Sequence, residues 1–244
     1  MRIIGLIPCR LQSTRLPSKP LLMIDGLPLI VHTLKRTQLA KSLEEVYVCT
    51  DAEEIASVVR SHGGKAIITH SEHTNGTERI AEAAKSLKAD LFVNVQGDEP
   101  LADPEHIDAV VAEHAKRPEW DIIVPSLPIS HPENTHIVKI VHDVNYRIIC
   151  MSRSVIPQPF SHRPSFFLKH LSVISFRPEA LQKFASLKPS PLQVCENIEL
   201  LRALENDIVI GTILLEGDSI SVDIREDYAR AKILMMTDEI RKLY

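Results

Sequence analysis

The sequence predicts an α/β fold in which a parallel sheet is covered by helices on both faces. First, short β-rich runs alternate with stretches of helical periodicity through most of the chain. Second, the run at 3–7 is continuously apolar, which is typical of a strand buried on both faces. Third, the helical pattern disappears between residues 122 and 176, which indicates extra sheet added to that core.

The N-terminal half reads as four strand–helix pairs. Strands are predicted at 3–7, 46–49, 66–68 and 91–95. Helices are predicted at 29–39, from an N-cap at Asp51 through Arg60, at 77–87, and from Pro104 behind a capping Asp103. Strands that are joined through helices in this way lie parallel to one another.

The later part contains mostly β-like segments, predicted at 122–126, 137–142, 147–151 and 169–176. Pro157, Pro159 and Pro164 mark an irregular loop within it. Helices return at 178–186 and 194–204, strands follow near 208–213 and 220–222, and a last helix begins at about Arg225. We interpret the β-rich stretch as an antiparallel flap or an interface.

The composition excludes several classes of protein. The 244 residues are 44% hydrophobic and 25% charged with a formal net charge of -4, which suits one globular unit and excludes predominant disorder. A pI of 6.3 argues against a broadly basic nucleic-acid surface, and 5% aromatic residues argue against a platform for stacking single strands. No apolar run approaches the roughly 20 residues of a membrane span, and the first apolar run is too short for a secretory signal. The four cysteines form no C-x-x-C pair, so we expect free thiols in a cytoplasmic protein without structural zinc.

Cations concentrate in the loop after the first predicted strand. Arg10, Arg15 and Lys19 lie there, with the hydroxyls of Ser13 and Thr14 between them. Several fixed positive donors suit a polyphosphate, whereas the alternative is a solvated basic loop. Prolines on either side of Lys19 restrict the backbone more than a surface loop without a function requires. Neither a P-loop nor a dinucleotide fingerprint is present.

Three further segments contain residues that could bind a nucleotide or a metal. After the strand at 91–95, Gln96 and a glycine precede Asp98, which could meet a hard divalent cation; the alternative is a polar turn. The residues at 73–79 suit close approach of a base, a ribose or an anion, and Thr77 or a neighbour also caps a helix there. Asp223 follows an apolar run, where the alternative is an N-cap for the last helix.

Ligands of such sheets bind beyond the carboxyl ends of the strands. The loops at 8–20, 69–76 and 96–100 each follow a predicted strand. We therefore expect these three loops to lie together around one ligand-binding cleft, the mouth of the site.

The motifs of the chain resemble those of a known family. The stretch from Ile7 to Leu21 closely resembles the opening loop of the 3-deoxy-manno-octulosonate (Kdo) cytidylyltransferases, also called CMP-Kdo synthetases. Other segments resemble further signatures of that family in the same order, and the match runs along essentially the whole chain. These segments are His73 to Glu82, Val93 to Pro100, Met151 to Pro157, Lys169-His170, Glu196 to Leu204 and Val222-Asp223.

The resemblance implies a nucleotide-diphospho-sugar transferase fold, a three-layer α/β/α sandwich with a mostly parallel twisted sheet. It implies a single cytidylyltransferase domain over 1–244, with a nucleotide-binding core at 1–120 and 205–244. The remaining β-rich region, about 121–204, would then serve sugar binding and homodimer formation. The implied reaction transfers CMP from CTP to a 3-deoxy-2-ulosonic acid sugar and releases pyrophosphate with the help of Mg²⁺. The product would feed lipopolysaccharide or capsule synthesis.

The same resemblance assigns roles to individual residues. It implies that Arg10, Arg15, Lys19, Asp98 and Asp223 are catalytic and that Asp98 and Asp223 bind the metal. The implied CTP-binding residues are Pro8, Cys9, Arg10, Arg15, Lys19, Asn75, Gly76, Thr77, Arg79, Gln96 and Asp98. The implied sugar-binding positions are Arg15, Gln96, Arg153, His170, Ile174, Glu199 and Leu200.

Two of those sugar positions depart from the family pattern. Ile174 replaces a common tyrosine, and Leu200 replaces a common glutamine, so each hydrogen-bonding group becomes apolar. Such changes can alter which sugar is accepted. The expected acceptor is Kdo, and the alternatives are 8-amino-Kdo, a nonulosonic acid or a phosphonate. A non-catalytic nucleotide-binding protein is the alternative from another functional class.

Overall fold

The computed structural model describes residues 1–12, 15–218 and 220–244 as a mixed α/β protein. The chain divides into two compact units. Unit 1 comprises Met1–Ala109 and Ser219–Tyr244, and unit 2 comprises Val110–Asp218. Within the described ranges, no helix combines the length and the apolar character that a membrane span requires.

Strands and helices alternate through the N-terminal half, as the sequence predicts. The strands are β1 (Ile3–Cys9), β2 (Met23–Ile24), β3 (Leu27–Pro28), β4 (Glu45–Thr50), β5 (Lys65–Ile68), β6 (Leu91–Val95), β7 (Ile122–Ile123), β8 (Ser126–Ile129), β9 (Lys139–His142), β10 (Ile148–Ser152), β11 (Phe167–His170), β12 (Val173–Phe176) and β13 (Ile210–Gly211). The helices are α1 (Leu29–Gln38), α2 (Glu53–Ser61), α3 (Gly76–Ala84), α4 (Pro104–Lys116), α5 (Pro178–Ser186), α6 (Pro191–Glu196), α7 (Leu201–Leu204) and α8 (Arg225–Met235). Short 3-10 turns lie at Lys19–Leu21 and Ile240–Leu243.

Unit 1 contains a parallel sheet with the strand order β6-β1-β4-β5. All seven residues of β1 are buried, because this central strand has neighbours on both sides and helices on both faces. Its pairing with β4 runs from Ile4 opposite Glu45 to Cys9 opposite Thr50. Since the strands are parallel, their carboxyl ends lie along one edge of the sheet.

Helices α1 and α3 cover opposite faces of this sheet. A Cβ placed on Gly5 would lie 3.2 Å from Thr37 of α1, and one placed on Gly76 of α3 would lie 3.1 Å from Pro8. Residues 5 and 8 are three apart in β1, so they point to opposite faces. The predicted covering of a parallel sheet on both faces is therefore confirmed.

The strands of unit 2 pair mostly in antiparallel fashion. Its antiparallel sheet has the order β10-β9-β11-β8, which agrees with the β-rich character predicted for this region. Strand β7 pairs in antiparallel fashion with β12 and in parallel fashion with β13. The irregular loop predicted around Pro157, Pro159 and Pro164 lies outside the helices and strands.

Two predicted strands are each divided in the structure. The run at 122–126 forms β7 and β8, and the run at 169–176 forms the end of β11 and the whole of β12. In both cases the chain leaves one sheet and enters another. Hydrophobic alternation continues across such a crossing, so the sequence pattern did not reveal the change of partner.

Two other predicted elements were wrong in detail. The helix at 194–204 is interrupted at Asn197, whose φ of 52° is left-handed and ends α6. The apolar run at 220–222 is not a strand, although the Val222 amide donates to the carbonyl oxygen of Asp98 at 2.9 Å.

A buried histidine in unit 2 makes stability depend on pH. Burial lowers the pKa of His114 to about 4, although the carbonyl of Trp120 favours the charged ring. Nε2 of His114 donates to that carbonyl at 3.0 Å, so the neutral ring accepts at Nδ1 from the Ser175 hydroxyl at 2.7 Å.

We predict that unfolding becomes easier as the pH falls from about 6.5 to about 4, because the unfolded histidine binds a proton at a higher pH than the folded one. The contribution of His114 is at most about 3 kcal/mol. Urea unfolding at several pH values should show a flatter dependence in His114→Gln, whereas His131→Gln, at an exposed position, should keep the wild-type slope. An unchanged slope in His114→Gln would contradict the assignment.

Candidate active site at the carboxyl edge of the parallel sheet

The loop after β1 places Lys19 on a short, restricted turn. Lys19 begins the 3-10 turn, Ser18 before it is left-handed with φ 50°, and Pro20 after it is buried. A left-handed non-glycine residue is held only where its surroundings fix it, so this backbone is set by packing. Arg10 and Arg15 are exposed, and Ser13 and Thr14 lie outside the described residues.

Lys19 lies between two carboxylates. Its Nζ is 2.7 Å from Oδ2 of Asp98 and 3.3 Å from Oδ1 of Asp223, while Nη2 of Arg15 is 3.4 Å from Oδ1 of Asp223. Burial alone would lower the pKa of Lys19, but the two carboxylates outweigh it, and the pKa lies above its usual value. The structure therefore brings together four of the five predicted catalytic residues.

Backbone and core contacts in unit 1 bring Asp223 to Asp98. Besides the bond from Val222 to the Asp98 carbonyl, the Ser221 hydroxyl donates to the buried carboxylate of Glu99. An apolar cluster fixes the Lys19 loop and the 222–235 segment together. Its buried members are Leu16, Ile24, Leu29, Val222, Ala231 and Met235.

Asp223 does not serve as the N-cap of α8. The carboxylate of Asp227 instead accepts the amides of Asp223 and Ile224, each at 3.0 Å. The N-cap alternative for Asp223 was therefore wrong, and its side chain pairs with Lys19 and Arg15.

Gly97 permits a close approach between the ends of β1 and β6. A Cβ at this position would lie 2.6 Å from the carbonyl oxygen of Pro8, closer than real atoms pack. Cys9 lies beside Gly97, and burial, supplemented by the charge of Asp98, raises the pKa of its thiol far above the usual range. The thiol is therefore neutral, and this segment offers backbone rather than charge to a ligand.

Gly76 brings the loop after β5 to the same edge. Its position lies against Pro8 and against Oε1 of Gln96, where a Cβ would be 3.1 and 3.4 Å from those side chains. The neighbouring Asn75 is the N-cap of α3 and accepts the Glu78 amide at 2.8 Å. These contacts confirm that the loops at 8–20, 69–76 and 96–100 meet.

Acidic and basic side chains of α3 attach this loop to the helix. Glu82 accepts the His70 amide at 3.0 Å and pairs with the ring of His73. The buried Arg79 donates to Thr69 at 2.6 Å and to Asp51 at 3.1 Å. The predicted N-cap role of Asp51 was wrong, because its carboxylate binds Arg79, and Ala52 occupies the cap position. Thr77 is likewise buried rather than exposed to the mouth.

Five of the seven residues predicted to contact the sugar lie in unit 2, and the other two, Arg15 and Gln96, lie in unit 1. Arg153 donates from its guanidinium to four carbonyl oxygens, those of Thr135, His136, Glu196 and Asn197. Burial, with the charge of Arg153 adding to it, lowers the pKa of His170 to about 4, so the ring is neutral near pH 7. Glu199 is half-buried, and Ile174 and Leu200 are almost fully buried.

Several side chains that organise these loops received no role from the sequence. Glu196 accepts from the Ser152 hydroxyl and, at 2.9 Å, from the Arg153 amide. Lys139 is buried and donates to the carbonyls of Asn134 and Ile137. A lysine inside an apolar strand was the available signal for Lys139. The partners of Glu82 and Glu196 depend on tertiary contacts that no local pattern shows.

Known proteins resemble this chain over nearly its full length. A family model described as cytidylyltransferase matches residues 4–213. The chain is 39% identical over 242 residues to the 3-deoxy-manno-octulosonate cytidylyltransferase of Chloroherpeton thalassium, covering 96% of this chain and 98% of that protein. It is 42% identical over 233 residues to the enzyme of the same name from Chlorobium phaeobacteroides, covering 93% and 94%.

Solved structures show the same likeness. A CMP:2-keto-3-deoxy-manno-octonic acid synthetase complexed with CTP superposes with a TM-score of 0.93 and 31% identity, over 97% of this chain and 99% of that one. A cytidylyltransferase from Leptospira borgpetersenii has a TM-score of 0.68 over 98% of this chain and 88% of that one, and at 19% identity it shows a shared fold.

We predict that Glu82→Gln weakens CTP binding by roughly fivefold, or about 1 kcal/mol, because the loop that carries Asn75 loses charged anchoring. Titration calorimetry with CTP measures this affinity, and kcat at saturating CTP should change little. Glu72→Gln, at an exposed position in the same loop, is the matched control and should bind as wild type does. Equal affinities for the two variants would refute an anchoring role for Glu82.

Proposed function

The chain belongs to the cytidylyltransferase family, and we propose that it transfers CMP from CTP to the anomeric hydroxyl of Kdo. The products are CMP-Kdo and pyrophosphate. The observation that supports this most directly is the convergence of Lys19, Asp98 and Asp223 at the carboxyl edge of the parallel sheet. That edge is where α/β sheets bind nucleotides.

Cationic side chains of the first loop would hold the triphosphate. The sugar oxygen forms a bond to the α-phosphorus while the bond to the pyrophosphate oxygen breaks, so positioning and charge neutralisation dominate the chemistry. Lys19 and Arg15 already face the Asp98–Asp223 pair, and Arg10 is exposed at the end of β1. We assign all three to binding the phosphates and the departing pyrophosphate.

Asp98 and Asp223 would hold Mg²⁺. Their side chains fit this ion, because both converge on one cation, the ammonium of Lys19, and because carboxylate oxygens are the ligands that Mg²⁺ prefers. When bound, the metal neutralises phosphate charge and favours ionisation of the attacking hydroxyl. The two aspartates position it at that end of the sheet.

The rest of the nucleotide would lie along the three loops described above. Backbone near Pro8 and Cys9 reads the cytosine, and Asn75 and Gly76 line the pocket with Gln96. Thr77 is buried in the first turn of α3, so its side chain would support this loop rather than face the nucleotide. The capping of α3 by Asn75 supports a preformed pocket rather than a direct amide contact, since that amide already binds Glu78. Arg79 would act through the loop, because its guanidinium binds Asp51 and Thr69.

Residues of unit 2 would bind the sugar. We assign Arg153, His170 and Glu199 to this role, and the sugar-binding roles of Gln96 and Arg15 stay predictions from the family resemblance. Positions 174 and 200 contribute apolar packing, because both side chains are almost fully buried. The expectation that they redirect the enzyme to another acid is not favoured, since relatives at 39% and 42% identity are named for the Kdo reaction.

We predict that pyrophosphate release from CTP is fastest with Kdo. A coupled assay would compare kcat/KM for Kdo, 8-amino-Kdo, a nonulosonic acid and a phosphonate. A higher value for any of the other three would contradict the proposed acceptor. CTP binding without release for any of them would favour the alternative of a non-catalytic nucleotide-binding protein.

Two variants separate chemistry from folding in the same assay. Asp98→Asn should lower kcat by about 100-fold or more, because one carboxylate of the pair is lost. Asp103→Asn is the matched control, because asparagine caps a helix as well as aspartate does, so its activity should be retained. Full activity in Asp98→Asn would exclude the metal role.

We further propose that the enzyme is a cytoplasmic homodimer. All four cysteines are free thiols, which suits a reducing compartment. Strand β10 lies at the edge of the antiparallel sheet, and Val144, Tyr146 and Ile149 at and beside it are exposed. An apolar sheet edge of this kind supports pairing with a second copy.

We predict that light scattering after size exclusion gives twice the chain mass of 27.4 kDa. Ile149→Lys should shift the protein to the monomer, because a charge would enter the apolar interface. Ile233→Lys changes an equally exposed apolar residue of α8 and should leave the dimer intact. A monomeric wild type, or a dimeric Ile149→Lys, would refute this interface.

A further inference from the structure

The ammonium of Lys19 occupies the position between Asp98 and Asp223 that a metal ion would take. It lies within bonding distance of both Asp98 and Asp223, at 2.7 and 3.3 Å, and Arg15 reaches the second carboxylate at 3.4 Å. Only 15% of the Lys19 side chain is exposed, so the ammonium is held inside the site rather than at its rim. The negative charge of the pair is therefore largely neutralised within the protein itself.

The two carboxylates are also too few to hold a divalent ion by themselves. Among residues 1–12, 15–218 and 220–244, no group of three or more His, Cys, Asp or Glu side chains could hold a metal. Mg²⁺ requires about six oxygen ligands. A metal at this pair must take most of its ligands from water or from phosphate.

A metal bound between Asp98 and Asp223 could not share that position with the ammonium, because like charges repel at such distances. The Lys19 backbone is fixed by the left-handed Ser18 and the buried Pro20. Removal of the ammonium therefore depends on rotation of its four-carbon side chain, which is flexible. A polyphosphate at the mouth supplies the competing negative charge that would attract it.

We propose that Lys19 keeps divalent metal out of the Asp98–Asp223 pair until a polyphosphate draws its ammonium away. The free protein then binds metal weakly, and the metal enters together with the nucleotide. Exchange of one cation for another at the same carboxylates fixes the order of binding. The inference rests on the proposed function, because it takes CTP and a divalent ion as the ligands of this edge.

Manganese binding to the free protein tests this directly, with the EPR signal of unbound Mn²⁺ as the readout and no nucleotide present. Lys19→Met should bind Mn²⁺ at least tenfold more tightly than wild type. Lys65→Met removes a lysine that pairs with Glu45 outside the site and should bind as wild type does. Adding Asp98→Asn to Lys19→Met should abolish the gain. Wild-type affinity in Lys19→Met, or a gain that survives Asp98→Asn, would overturn the proposal.

A measurement on the wild-type protein keeps the test independent of how Lys19→Met folds. Selective ¹⁵N labelling of lysine Nζ gives a signal for Lys19, assigned by its loss in Lys19→Arg. Millimolar Mg²⁺ alone should leave this signal unchanged, and inorganic pyrophosphate should shift it. A shift with Mg²⁺ alone would overturn the proposal.

Turnover with CTP and Kdo, measured separately, distinguishes the two hypotheses. If turnover is absent but Lys19→Met gains Mn²⁺ affinity, cation exclusion stands and the proposed reaction fails. If turnover is present but the free wild-type protein binds Mn²⁺ as tightly as Lys19→Met does, the reaction stands and cation exclusion fails.

Discussion

A single backbone hydrogen bond, from the Val222 amide to the Asp98 carbonyl, determines how the candidate active site is assembled. It joins the exit of β6 to a segment that the chain reaches only after passing through the whole of unit 2. The bond places the two carboxylates beside each other without a strand between them. Burial of Val222 in the apolar cluster with Leu16 keeps water from competing for this contact.

Around that contact, the site uses charged side chains in two different ways. Lys19 forms ion pairs with both Asp98 and Asp223 at the carboxyl edge of the sheet, where our proposal places the phosphates and the metal. Glu82 and Arg79 of α3 bind the loop before that helix and hold its backbone in place. Mutations in the first group should affect the rate of the chemical step. Mutations in the second group should affect how well the pocket is preorganised before a ligand binds.

Much of unit 1 could be predicted because its signals are local. The buried run of β1, the periodicity of α1 and the glycines after α2 each report on neighbouring residues. The predicted strand boundaries were wrong where the chain passes from one sheet to another, at Pro125 and near Leu171. The alternation of apolar residues does not identify the partner strand. The sequence also did not show that Asp98 and Asp223 meet; that pairing came from family resemblance alone. The family resemblance implied that Arg79 binds CTP; its guanidinium donates to Asp51, a contact that no local pattern shows, and its role toward CTP stays a prediction.

The distance along the chain between the parts of the site has a consequence during synthesis. Lys19 and Asp223 are 204 residues apart, yet they share one ion-pair network. At ribosomal rates, Lys19 and Asp98 must wait on the order of ten seconds for their partner to be translated. A nascent chain that has completed the sheet of unit 1 still lacks its second carboxylate. The ion pairs of Lys19 therefore cannot be complete until translation has passed the start of α8.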